Sequence, residues 1–237
     1  MIKYFYLLTI TLFVGVANTR AQNHQEPENG IKLKINNIQV EIQFYSPEIV
    51  RIVKSPGNDA PDIRSFSVIR QPGEVKVIAQ EKADGIDLSS SKLTVHLDRS
   101  TGKISFFSPG GELLLTEKDY GVQFTPVKDV GDNSYIVRQA FMLDQDELIY
   151  GLGQFQDGKM AQRNQKLYLL QDILITSIPF FQSTKGYGLY WDNYSPTYFT
   201  DNQQETSFES TVGDCADYYF MYGKTADGVI AQMRDLT

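Results

Sequence analysis

Apolar and polar residues alternate with a period of two along most of the chain. That spacing turns one face of a β-strand into a core and leaves the other in water. "IKLKI" and "IQVEIQF" flank Asn36-Asn37, a pair suited to the left-handed backbone of a tight hairpin. "IVRIVK", "EVKVIAQ" and "KLTVHLD" follow the same rule. "HLDRSTGKISFFSPGGELLL" reads as three strands joined by turns at Ser100-Thr101-Gly102 and Pro109-Gly110-Gly111. "YIVRQAFML", "ELIYGLG", "KLYLLQ", "ILITSIPFF", "GYGLYW" and "DYYFMY" continue the series. Many short strands with dense turns predict an all-β fold, a large antiparallel β-sandwich.

The tail changes period. "TADGVIAQMRDLT" places Val229, Ile230, Met233 and Leu236 on one helical face behind Thr225, a fitting N-cap. No glycine or proline stop signal follows the last apolar position, so the helix is expected to lead onward. The organisation predicted is a sandwich over residues 31–223 and a helix over 224–237.

Residues 1–21 have the layout of a secretory signal peptide. Lys3 precedes an apolar run from Tyr4 to Ala17, and Thr19 and Ala21 offer small residues for cleavage. The run is shorter than the roughly 20 residues of a membrane span. An exported location, periplasmic or extracellular, is expected, with no membrane span after cleavage. Residues 22–30, "QNHQEPENG", read as a flexible lead-in.

Removing 21 residues from 237 leaves 216, enough to bury an ordinary core. Because the leader holds Lys3 and Arg20 and no acid, the net charge moves from −7 to −9. An acidic chain without a basic stripe argues against nucleic acid or anionic lipid as partner and favours a neutral ligand. A lone cysteine, Cys215, excludes an intramolecular disulfide and is expected as a small buried hydrophobe.

Candidate chemistry is sparse. The chain has no G-x-S-x-G elbow, and its two histidines, His24 and His96, are far apart, so neither a nucleophilic triad nor a zinc site is expected. His96 reads as a strand-surface residue. Asp129 and Asp132 in "DVGDNS" read as a solvated turn and not a calcium loop. Gly151-Leu152-Gly153 lacks the rest of a dinucleotide fingerprint. No cofactor is called for.

Glycoside hydrolysis uses paired carboxylates, which makes the acids worth weighing. Asp144, Asp146 and Glu147 cluster in a polar turn and are expected to face solvent. Asp172 differs: it sits in "KLYLLQDILITSIPFF", an apolar stretch where a buried carboxylate would need water, a donor or a hydroxyl-rich ligand. A bulge or an outward edge position is the alternative.

The stretch "IPFFQSTKGYGLYWDNYS", Ile178 to Ser195, holds six aromatic residues. In "GYGLYW" the small Gly186 and Gly188 share a face with Tyr190, while Tyr187, Leu189 and Trp191 share the other. Those rings suit either a sandwich core or the wall of a sugar site.

"LIYGLGQ", "IPFFQSTKGYGLYWDNYSPTYF" and "DYYFMYGKTADGVIAQMRDLT" together resemble the N-terminal domain of glycoside hydrolase family 31, over about residues 30–237. That family includes α-glucosidases and α-xylosidases. The resemblance implies a galactose-mutarotase-like β-sandwich preceding a (β/α)8 barrel, and retaining hydrolysis of α-linked oligosaccharides by two aspartates of the barrel. The barrel's "W-x-D-M-N-E" type motif is missing; "YWDNYS" shares only Trp and Asp with it. The resemblance therefore assigns no catalytic residue here, and this chain alone is expected to hydrolyse nothing.

It also implies that a sandwich loop before "IPFF" reaches over the barrel mouth and bonds sugar hydroxyls. Asp172 occupies the matching place, with Gln171 beside it and the polar loop Gln154 to Gln165 as a flank. A stand-alone carbohydrate-binding module is the alternative from another class.

Overall fold

The computed structural model describes residues 29–57 and 64–237. The predicted signal peptide and most of the lead-in lie outside the described residues. In chain order the first eight strands are β1 (Gly30–Ile35), β2 (Ile38–Phe44), β3 (Ile49–Pro56), β4 (Ile78–Glu81), β5 (Gly85–Ser89), β6 (Thr94–Asp98), β7 (Ile104–Phe107) and β8 (Leu113–Asp129). The second eight are β9 (Asp132–Met142), β10 (Ile149–Gln154), β11 (Lys166–Leu169), β12 (Thr176–Ser183), β13 (Tyr187–Trp191), β14 (Thr197–Asp201), β15 (Thr206–Gly213) and β16 (Ala216–Tyr222). Helix α1 (Ala226–Leu236) follows.

Two antiparallel sheets form the expected sandwich. One runs β1-β2-β3-β16-β13-β12-β10 and the other β11-β14-β15-β9-β8-β7-β6-β5-β4. Asn36 and Asn37 both take positive φ, 48° and 65°, as the first hairpin requires. Thr225 caps α1 by accepting from Gly228 N.

The inner faces of the two sheets meet in a core rich in rings. Trp191 stacks on Phe208 at 5.6 Å, and Phe106 on Phe220 at 4.1 Å, each pair with one ring from either sheet. A second, smaller core covers the outer face of the seven-stranded sheet, where Tyr45, Phe180, Tyr190, Tyr219 and Met221 pack under Val229 and Leu236 of α1. Strand β13 therefore serves two cores. Its Tyr187, Leu189 and Trp191 point between the sheets, while a Cβ at Gly188 would come within 2.6 Å of Val229, so the glycine makes room for the helix.

Four expectations need correction. "EVKVIAQ" is not one strand. Only Ile78–Glu81 pairs; Val75 and Val77 before it pack on the main core, and farther back Val68 covers the outer one, where Ile69 and Arg70 give N–H groups to the carbonyl of Leu236 at the end of α1. Ile230 is 49% exposed, so the buried stripe of α1 is Val229 and Leu236 with Met233 half-covered. Strand β8 continues well past "ELLL" to Asp129. Beyond Glu117 it pairs with β9 alone, and that free edge is what admits Pro126. Glu147 is not a solvent-facing acid, for reasons given below.

Candidate functional site

The segment singled out by the resemblance lies where both sheets present an edge. Strand β10 ends the seven-stranded sheet and β11 ends the nine-stranded one. The turn between β11 and β12 thus carries the chain from one sheet to the other.

Asp172 sits in that turn and is exposed. Its N–H donates to Ile175 O at 3.1 Å and Ile175 N returns a bond to Asp172 O at 3.4 Å, leaving Ile173 and Leu174 at the tip. The Asp172 carboxylate accepts one local bond, from Ile173 N at 2.7 Å through Oδ1. Its Oδ2 has no partner among the described residues. Gln171 is also exposed, with Oε1 accepting from Ser177 N at 3.3 Å. A tip that is 97% exposed at Ile173 and 65% at Leu174 explains the apolar run around Asp172: it is displayed, not buried.

The flanking loop is held down at both ends. Gly151, Leu152 and Gly153 take φ of 125°, 66° and 109°, forming a bulge where β10 meets β12. A Cβ at Gly153 would fall 1.8 Å from Thr176 O, so the glycines answer a packing demand. At the far end Asp201, fully buried, accepts from Arg163 Nε at 3.0 Å and Asn164 N at 2.5 Å. Between them Gln156 to Met160 stays exposed beside a cavity of about 390 Å³ lined by Tyr150, Phe155, Met160 and Gln162.

Other acids of the sandwich are fixed in the fold. Glu147 is buried and accepts from Tyr187 Oη, Ser183 Oγ at 2.5 Å and Asp144 N at 3.1 Å. Burial, reinforced by the Glu147 carboxylate, pushes the Tyr187 phenol well above its ordinary value, so it stays a donor. Only Asp144 and Asp146 of that cluster face solvent, and Asp144 pairs with Lys185 at 2.6 Å. Deeper in, Glu117 binds Lys54 Nζ at 2.5 Å, Tyr218 Oη at 2.8 Å and Ile104 N at 2.7 Å. Asp217 binds Arg51 at 2.9 and 2.5 Å. Each of these buried carboxylates is occupied by protein donors, which is a structural arrangement and not an acid pair across a cleft.

Sequence reasoning missed Glu117, Asp201 and Asp217 altogether. All three carry a local hint, since each stands in a strand where alternation points it away from water.

The aromatic stretch is resolved as core. Phe181, Tyr187 and Trp191 lie between the sheets, Phe180 and Tyr190 lie under α1, and Tyr194 alone is open, 53% exposed. Asp192 is buried, and Asn193 and Ser195 shape the following turn. Cys215 is buried as expected, and burial raises its thiol.

With the geometry in hand, comparison with known proteins decides the family. Residues 39–199 match the Glycosyl hydrolase 31 N-terminal galactose mutarotase-like domain. The chain belongs to glycoside hydrolase family 31. It is 31% identical to an alpha-xylosidase of Saccharolobus solfataricus over 217 residues, and 28% identical to alpha-glucosidase 2 of Bacillus thermoamyloliquefaciens over 212. Those alignments cover 86% and 84% of this chain but 29% and 26% of the relatives. A family 31 alpha-xylosidase from Xanthomonas citri shares the fold with a TM-score of 0.85 at 17% identity, over 90% of this chain and 40% of that one. The family 31 sandwich thus accounts for the described residues, which contain one helix and no (β/α)8 barrel.

Proposed function

We propose that this domain shapes the sugar site of a retaining family 31 α-glycosidase acting on α-xylosides or α-glucosides. Asp172 accepts hydrogen bonds from substrate hydroxyls and Gln171 supports it, while a barrel supplies the two catalytic aspartates. The observation that carries this reading is the β11–β12 turn. It leads from β11, the edge of the nine-stranded sheet, to β12, next to the edge of the seven-stranded one, and displays a carboxylate whose Oδ2 is unpartnered among the described residues.

The apolar residues around it support contact with a second domain. Met160, Leu170, Ile173, Leu174 and Ile178 are between 44% and 97% exposed at this end. Exposed apolar surface flanked by sheet edges is suited to cover by protein and ill suited to water. Five of the six aromatic rings of Ile178 to Ser195 pack inward, and Tyr194 alone makes no sugar-binding platform there. Export follows from the leader-like N-terminus, and among the described residues no helix is long and apolar enough to cross a membrane.

The test is turnover. The purified chain, assayed on aryl α-glucosides and α-xylosides, is expected to show none. Turnover that co-purifies with the chain and disappears in Asp172→Asn would make Asp172 a catalyst and sink the positioning role.

A further inference from the structure

A second recess lies on the other sheet, on the outward face of β4 to β7. Alternation leaves this face polar: Asp87 and Ser89 on β5, Thr94 and His96 on β6, and Ser105 on β7 all point out while Ile86, Leu88, Val95, Leu97 and Phe106 point in. One outward position breaks the pattern. Phe107 stands opposite Thr94, beside the half-exposed Leu113, and makes no ring contact with another aromatic among the described residues. The turns on either side, Lys82 to Asp84 and Ser108 to Gly111, rise to wall a cavity of about 450 Å³ over this ring. That volume lies within the range of small-molecule pockets, roughly 300–1,000 Å³.

The polar groups of the wall are fixed but not used up. Asp87 holds the His96 ring through Nδ1 at 2.7 Å. A Cβ at Gly85 would meet Leu97 O at 2.1 Å and His96 Cε1 at 3.0 Å, so the glycine lets the neighbouring strand and the ring pack close. His96 Nε2 stands 3.8 Å from Asp84, and Lys82 Nζ stands 3.6 Å from Asp87, both beyond hydrogen-bond length. An imidazole nitrogen, an ammonium and an exposed carboxylate are therefore left to bond something else. Strands carry Asp87, Thr94, His96 and Phe107, which gives the site the rigidity a binding constellation needs.

We infer that this groove is a second carbohydrate site, taking a single pyranose unit with its C–H face on Phe107 and its hydroxyls on Asp84, Asp87, His96 and Lys82. A planar apolar floor under one wall of mixed donors and acceptors matches a neutral ring with hydroxyls at its edge. A bare cation would have no use for the phenyl ring, and a fatty chain none for the carboxylates. The site lies on the nine-stranded sheet at β4 to β7, while the Asp172 turn follows β11 at the opposite end of that sheet, so the two are separate. Only the choice of α-linked probes rests on the proposed function.

The experiment is an NMR titration of the full chain with maltose, isomaltose and methyl α-xyloside, and with sorbitol as an acyclic polyol. At least one ring sugar is expected to shift amides of 84–87, 94–96 and 107–111, with sorbitol silent. Phe107→Ala is expected to weaken binding at least tenfold, and Asp172→Asn to leave it unchanged. Phe107→Leu keeps the apolar bulk and serves if the alanine variant fails to fold; it is expected to lose binding too. Silence at those strands with all three sugars, equal shifts with sorbitol, or wild-type affinity in a folded Phe107 variant would overturn the inference. Shifts at the groove without shifts at 170–177 would count against the Asp172 reading alone.

Discussion

At the turn between β11 and β12 a carboxylate stands in water with one local hydrogen bond; between β9 and β10 another is sealed under the sheets with three donors around it. Asp172 and Glu147 are chemically similar and stand at the two ends of β12, Asp172 before its first residue and Glu147 bonded to its last. Their difference is what surrounds them. Glu147 completes a network that ties the β9–β10 connection to β12 and β13 through Ser183 and Tyr187, and nothing of it remains for a ligand. Asp172 ties only its own turn. The proposed function uses both kinds: buried acids that hold strands in register, and a displayed one free to meet a sugar.

Breaking the buried kind should cost most where a countercharge is stranded. Glu117→Ala leaves Lys54, 1% exposed, without its carboxylate, and burial already lowers the Lys54 pKa. A loss of about 3–5 kcal/mol in urea unfolding is expected, and a loss below 1 would refute the role given to the pair. Glu147→Ala orphans two hydroxyls and an amide, and is expected to lose about 3 kcal/mol by the same measurement. Glu147→Gln should lose less, because an amide oxygen still accepts.

The Arg51–Asp217 pair sharpens the comparison through pH. Burial pushes the Asp217 carboxyl up to about 6 against the pull of Arg51. A carboxyl raised in the fold holds its proton where the unfolded chain, near pH 4, has begun to release it. Its contribution is thus full at low pH and is lost as pH climbs from about 4 to 6. Asp217→Asn should flatten unfolding free energy against pH in that window, where the contribution is at most about 1.4 kcal/mol per unit. Parallel curves for the two proteins would contradict the assignment. Asp172→Ala should move stability least, within about 0.5 kcal/mol, as expected of an exposed side chain.

Much of the fold was legible in the sequence because period-two alternation survives wherever one face is buried. It placed the hairpin at Asn36-Asn37, the two faces of β13 and the change to a helix at Thr225. It failed where context overrode pattern. The backbone leading into β4 alternates like a strand but pairs with no strand among the described residues until Ile78, and Ile230 lies on an apolar stripe wider than the surface α1 covers. The acids were harder still. Glu147 reads as one of three acids in a polar turn, and only Tyr187, far along the chain, makes it a buried acceptor. The turn at Asp172 was found through its family resemblance, while its exposure depends on a crossing between sheets that no local signal encodes.

The account rests on Asp172 meeting sugar without supporting the fold. Its most direct test is an NMR titration of the chain with α-linked oligosaccharides, read at the amides of 170–177, for the wild type and Asp172→Asn. We expect shifts at that turn which vanish in a variant of unchanged urea midpoint. An unmoved turn at saturating sugar, or shifts that persist without the carboxylate, would contradict it.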